Sequence, residues 1–163
     1  MTGSFSFRPA EKADADAVRA VVFSALREHG LEPDPSGTDR DLDDVVASYA
    51  GGLFDVLVDG SGRVVGSVGL APQGAGVCEL RKMYLLAECR GRGLGRMLLR
   101  HALLRARTLG FRKVRLETAS VLAGATRLYL EAGFLKEDIR PHSARCDLVL
   151  ALDLTGPPGP GKI

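Results

Sequence analysis

Apolar positions along the chain change their period several times, and each change marks an element. Ser4 to Arg8 alternates and predicts a short first strand. Val18, Val21, Val22, Ala25 and Leu26 then recur at helical spacing until Gly30, which predicts an amphipathic helix with one buried stripe. Leu31 to Gly37, with Pro33 and Pro35, reads as a loop, and Asp39 to Tyr49, with Leu42, Val45, Val46 and Tyr49 on one side, as a second helix closed by Gly51-Gly52. From there the period becomes two. Leu53 to Asp59 and Arg63 to Ala71 flank Gly60-Ser61-Gly62, and Val77 to Leu86 follows a turn at Pro72 to Gly76, the pattern of an antiparallel meander. Leu94 to Gly110 is helical again, with Leu94, Leu98, Leu99, Ala102, Leu103 and Ala106 on the packing face and Arg96, Arg100 and Arg107 on the other, where His101 is also expected. Lys113 to Ala119 predicts a strand, Ala125 to Ala132 a short helix stopped by Gly133, and Ala144 to Leu154 a closing strand.

This order implies an α/β (α+β) fold with a mixed, mostly antiparallel central sheet flanked by helices. Residues 1–154 are expected to form one domain and residues 155–163, rich in Gly and Pro, a flexible tail. The unit Val77 to Ala119 is the one strand-helix-strand crossover, and the loop where its strand becomes helix is the natural place for a ligand.

Composition narrows the class. With 163 residues, 45% hydrophobic and 26% charged, the chain buries a core without disulfides or metal. No apolar run approaches the roughly 20 residues of a membrane helix, and Met1 to Arg8 lacks a signal peptide's basic start and apolar stretch, so a cytoplasmic protein is expected. Cys78, Cys89 and Cys146 have no paired short spacing, which argues against a disulfide framework and a zinc site. The net charge of +2 implies no polyanionic partner, but charge is unevenly spread. Eleven of the 22 basic residues lie between Arg81 and Arg115, where Glu88 is the only acid, whereas Glu32 to Asp44 carries six carboxylates and only Arg40.

The crossover loop reads Arg90-Gly91-Arg92-Gly93-Leu94-Gly95-Arg96. Its glycines leave no Cβ between a ligand and the backbone, and the free N–H groups of a first helical turn attract an anion such as pyrophosphate. Arg90, Arg92 and Arg96 add guanidinium groups suited to phosphate oxygens. The spacing is not the dinucleotide fingerprint, because Arg96 stands at the third glycine position. Read structurally, the same residues make a tight turn with solvated arginines.

The loop resembles that of the GNAT superfamily of acyl-CoA-dependent N-acyltransferases, with Arg90, Gly93 and Gly95 at the family's Arg/Gln, Gly and Gly/Ala positions. The similarity continues through Glu79 to Leu85, Leu116-Glu117-Thr118 and Leu128 to Phe134, and covers about Val77 to Glu137. Two positions depart from the pattern: Ala87 replaces a frequent Pro, and Leu122 replaces a frequent Asn that contacts the coenzyme arm. The resemblance implies acetyl-CoA as acyl donor and coenzyme A as product. Backbone of Met83, Tyr84 and Leu85 would meet the pantetheine arm, and residues Arg90 to Arg96 the pyrophosphate. It further implies Tyr129 as general acid to the departing thiolate and Glu117, twelve residues earlier, as general base toward a small-molecule or peptide amine. Read structurally, Tyr129 is a half-buried core aromatic and Glu117 pairs with Arg115 or Lys113.

The remaining thiol, carboxylate and imidazole groups carry no evident catalytic role. Cys89 is a packing residue, Glu79 pairs with Arg81, and His29, His101 and His142 have no evident partners. The acidic run up to Asp44 reads as solvated surface with a weak pull on cationic amines. A nucleic-acid-binding reading of the basic patch lacks aromatic support, since only Tyr84 and Phe111 lie within it. A noncatalytic coenzyme-A-binding member of the same fold is the other alternative. Gly156 to Lys162 has most of the spacing of a P-loop, but Ile163 stands where Ser or Thr is required. The last strand is the candidate surface for a homodimer.

Overall fold

A computed structural model describes residues 3–156; the P-loop-like segment beyond Gly156 lies outside the described residues. Within them, strands β1 (Phe5–Pro9), β2 (Leu53–Asp59), β3 (Val64–Gly74), β4 (Val77–Leu85), β5 (Lys113–Thr118), β6 (Leu135–Glu137) and β7 (Leu148–Asp153) form one sheet in the order β1-β2-β3-β4-β5-β7-β6. Only the β4–β5 pair is parallel, joined through helix α3 (Leu94–Thr108), so the mixed, mostly antiparallel sheet inferred from element order is present.

Alternation along β2 shows why helices cover both faces. Phe54, Val56 and Val58 join a core with Val18, Val22, Leu26 and Tyr49, on the face of helix α1 (Ala15–Glu28). Leu53 and Leu57 join the opposite core with Leu98, Leu99 and Ala102 of α3. The buried set of α1 is Val18, Val21, Val22, Ala25 and Leu26, the stripe read from spacing. Among the described residues, no helix is long and apolar enough to cross a membrane.

Three expectations need correction. The helix expected over Asp39 to Tyr49 is a 3₁₀ turn, Arg40–Asp43, followed by the short helix α2 (Val45–Ser48). Asp44, at φ −148° and ψ 89°, breaks the run because its carboxylate accepts the Ala47 N–H at 3.1 Å, and an acid that caps one turn cannot continue the one before it. The closing strand begins at Leu148 rather than Ala144, because Asp147 donates its N–H to the Thr118 carbonyl while its carboxylate receives Ser120. His101 is not on a solvated cationic face: its ring stacks on Phe7 at 3.8 Å and bonds Asp55 at 2.7 Å.

One irregularity shapes the sheet's centre. Lys82 and Met83 of β4 together face the single Val68 of β3, a bulge in which Lys82 takes the left-handed φ of 54°. That conformation costs on the order of 1–2 kcal/mol in an L residue. It persists because the Lys82 carbonyl accepts Ser67 Oγ at 2.7 Å and Nζ is drawn to Asp39 and Asp41. Pairing of β4 with β5 stops after Glu79 and Arg115, and the strands diverge beyond that point.

Candidate functional site

The divergence leaves the β5-facing edge of β4 without a partner strand over Leu80–Leu85, and those six residues line a cavity of about 650 Å³. Strand β5, helix α4 (Ala123–Glu131), the start of α3, the end of α1 with the 29–41 segment after it, and the 138–147 loop complete its walls. An unpaired strand edge carries N–H and C=O groups that want partners, so the cavity suits an extended ligand with amide groups.

Where β4 ends, the chain turns through Ala87–Cys89 and enters α3 by way of two left-handed glycines, Gly91 at φ 73° and Gly93 at φ 78°. A Cβ at either position would meet nothing within 4 Å, so the backbone there is bare and open to a ligand. The first intrahelical bond is Met97 N–H to the Gly93 carbonyl at 3.1 Å, so the N–H groups of the turn before it have no place in the helix ladder. The helix is long enough to put a partial positive charge at that end. Three guanidinium groups ring the turn, each already engaged. Arg90 reaches Glu28 of α1 and the Leu85 carbonyl, Arg92 lies 5.2 Å over the Phe5 ring, and Arg96 is 3.2 Å from Glu131. Arg90, Gly91 and Gly95 line the cavity, whereas Leu94 turns into the core.

Tyr129 lines the same cavity from α4 and packs its ring against Phe134 at 5.7 Å. Burial, reinforced by Tyr84 and Cys146, raises its phenol pKa far above the ordinary value, so the group stays protonated and has a proton to donate near neutral pH. Among the described residues, no hydrogen bond occupies its hydroxyl. Glu117 projects from β5 into the 138–147 loop. It accepts the His142 N–H at 2.7 Å, the Ser143 N–H at 3.0 Å and the His142 ring Nδ1 at 2.8 Å. Burial opposes ionisation of Glu117, but these donors outweigh it and hold the carboxyl below its usual range. Lys113 and Arg115 pair with Glu137 instead of Glu117.

The acetyltransferase (GNAT) family model matches residues 20–134. The chain belongs to that family. The uncharacterized N-acetyltransferase YjgM of Escherichia coli is 37% identical over 127 residues, covering 74% of this chain and 76% of that protein. An uncharacterized N-acetyltransferase of Schizosaccharomyces pombe is 31% identical over 124 residues, with the same coverage of 74% and 76%. A GNAT-family acetyltransferase from Staphylococcus aureus Mu50 superposes with a TM-score of 0.86 at 18% identity, over 93% of this chain and 99% of the other. The PaiA N-acetyltransferase of Thermoplasma acidophilum, solved in complex with coenzyme A, superposes with a TM-score of 0.75 at 18% identity, over 92% and 99%. The fold is therefore the GNAT fold, and acetyl transfer is the activity its relatives are named for.

Within this GNAT chain, the residues expected at the site fall into two groups. Met83, Tyr84, Leu85, Arg90, Gly91, Gly95, Glu117 and Tyr129 share one cavity, while Arg92, Gly93, Leu94 and Arg96 stand beside it. Leu122 lines the cavity with a hydrocarbon side chain where the family often has an amide. Cys89 is buried in the core, as read. Arg81 and Glu79 form the expected ion pair at 2.8 Å.

Two features escaped the sequence. His142 has a partner in Glu117, 25 residues away in the chain. Asp39, within the run read as solvated surface, is buried at 1% exposure and receives both terminal nitrogens of Arg145 at 2.8 and 2.6 Å, with Lys82 Nζ at 3.1 Å. Burial would raise its pKa, but Arg145, the Asp34 N–H and the Lys82 charge together lower it to about 2. Asp41 receives the Tyr49 hydroxyl and lies 3.2 Å from Lys82. No local signal marks these pairs, because Asp39 and Arg145 are 106 residues apart.

Proposed function

We propose that this protein moves the acetyl group of acetyl-CoA to a primary amine of a small molecule or peptide, by direct attack of the amine within a ternary complex, in the cytoplasm. One observation carries the reading: the bare first turn of α3, the unpaired edge of β4 and the protonated phenol of Tyr129 converge on a single cavity. Acetyl-CoA fits that set chemically. The turn from Gly91 to Arg96 offers backbone N–H groups to a diphosphate, and Arg90, Arg92 and Arg96 offer charge once they exchange their present partners. The open edge of Met83 to Leu85 offers N–H and C=O groups to the amides of the pantetheine arm and one donor to the carbonyl oxygen that gains charge. When bound, acetyl-CoA supplies an activated thioester carbonyl.

The residues then manage two protons. An ammonium acceptor releases one proton under the influence of Glu117, the general base of this reading, and that proton passes to solvent. The freed lone pair of nitrogen forms the C–N bond while the C–S pair leaves on sulfur. Tyr129 donates its hydroxyl proton to that sulfur, and the second amine proton returns through water to the phenolate. The balance is one amide, one thiol and one proton in solution.

The test is amine-dependent release of coenzyme A thiol across a panel of amino acids, polyamines and peptides. Wild type should show release with at least one amine, and Tyr129→Phe should lower turnover about 100-fold with coenzyme A affinity by calorimetry unchanged. Release at the wild-type rate in that variant would remove Tyr129 from the mechanism; no release with any amine would leave a binding protein of the same fold.

A further inference from the structure

Glu117 has three of the roughly four acceptor positions of a carboxylate already filled, by the His142 N–H, the Ser143 N–H and His142 Nδ1. Each of those donors stabilises the anion and makes it a weaker base, and its side chain is only 13% exposed. The imidazole fastened to it is the reverse case. Its side chain is 96% exposed and borders the cavity, while backbone and ring contacts to one carboxylate fix where it stands. A carboxylate accepts and does not donate, so Nδ1 must carry the hydrogen, and in the neutral ring Nε2 then carries the lone pair.

We infer that His142 is the catalytic group that takes the proton of the acceptor amine, at Nε2, and that Glu117 is the positioning residue that sets its tautomer and holds the loop. The inference rests on the transfer reading above and moves the base for its first proton from Glu117 to His142. An ammonium N–H bond breaks, its electron pair stays on nitrogen to attack the thioester carbonyl, and the proton forms a bond with Nε2. Glu117 stays ionised beside the resulting imidazolium, and solvent then removes the proton. Glu–His pairs elsewhere position an imidazole in this way, because the carboxylate stabilises the cation formed when the ring accepts a proton. The other ionisable groups bordering the same cavity are His29 after α1, Asp41 ahead of α2, Glu79, Arg81, Lys82 and Tyr84 on β4, Arg90 before α3, Tyr129 on α4, and Arg145 and Cys146 of the same loop. His29 is bonded through Nδ1 to the Ala25 carbonyl at 2.9 Å, Asp41 faces Lys82 and the Tyr49 hydroxyl, Glu79 pairs with Arg81, and Arg90 pairs with Glu28. Lys82 and Arg145 are held by Asp39, and Tyr84, Tyr129 and Cys146 have raised pKa values, which leaves them poor proton acceptors.

The experiment compares wild type with His142→Asn, which keeps a donor toward Glu117, and with His142→Ala, using the amine that supports thiol release. Expected are about a 100-fold loss of kcat in H142N with KM for acetyl-CoA unchanged, and loss of one proton's dependence from the acid side of its kcat/KM profile. Added imidazole should raise the rate of H142A. Nitrogen NMR of the free wild-type protein should show the Nδ1–H tautomer, and Glu117→Gln should abolish that preference. An active wild type matched by H142N in rate and pH profile overturns this inference alone, as does H142A without imidazole rescue or a ring in the Nε2–H tautomer. A wild type inert toward all amines overturns the transfer reading and this one with it, whichever tautomer the ring shows.

Discussion

At the scale of single residues, the largest electrostatic commitment is Asp39. A carboxylate at 1% exposure is tolerable only because Arg145 and Lys82 face it and the Asp34 N–H donates to it at 2.8 Å. Its pKa, lowered from 3.8 to about 2, is lower folded than unfolded, so its contribution is complete above about pH 4 and is lost as pH falls toward 2. The shift corresponds to roughly 2 kcal/mol. Urea unfolding should therefore show wild type losing about that much stability between pH 5 and pH 2.5, beyond the loss in Asp39→Asn. Arg145→Ala should cost more at neutral pH, about 3 kcal/mol, because it removes both guanidinium bonds from a buried carboxylate and leaves Lys82 as its one facing cation. Legibility was poorest at this scale. The residue types of the acidic run are visible in the chain, but which acid is buried depends on Lys82 and Arg145 arriving from β4 and the 138–147 loop.

At the scale of elements, glycine and apolar spacing carry much of the information. The buried stripes of α1 and α3 match those expected, since a helix packed on a sheet has one apolar side set by the 3.6-residue period. The turn into α3 was legible for a related reason: three alternating glycines before an apolar run have little use except a backbone left bare. Gly93 tests this. Asp and Asn both tolerate the left-handed φ of 78°, at about 1 kcal/mol, but Asp places an anion where one is to bind. Gly93→Asp should weaken coenzyme A binding about 100-fold in calorimetry and Gly93→Asn far less, an ordering expected from charge repulsion in a partly enclosed site. Equal affinities for the two variants would remove the turn from the anion site. The second helix failed as an expectation because the apolar period of Leu42, Val45 and Tyr49 survives a break of the backbone at Asp44.

At the scale of the whole molecule, two cores on opposite faces hold a sheet whose centre is parted. The β2 and β3 strands are buried on both sides, which leaves the opening between β4 and β5 as a concavity in a rigid frame. Ligand binding there should stabilise the fold globally. At 100 times its dissociation constant, coenzyme A should add about 2.7 kcal/mol, a rise of roughly 5–10 °C in melting temperature for a chain of this length. RNA at equal phosphate concentration should leave the melting temperature unchanged; a comparable rise would revive the reading of the Arg81 to Arg115 patch as a nucleic-acid surface. Element order, the two buried helical faces and the bare turn before α3 were determined by the chain itself, because each arises from periodicity or from backbone freedom within a dozen residues. The parting of β4 from β5, the burial of Asp39 and the seating of His142 on Glu117 were decided by tertiary structure. Each needs a bulge, an ion or a loop brought from a distant part of the chain, and no local spacing encodes that meeting.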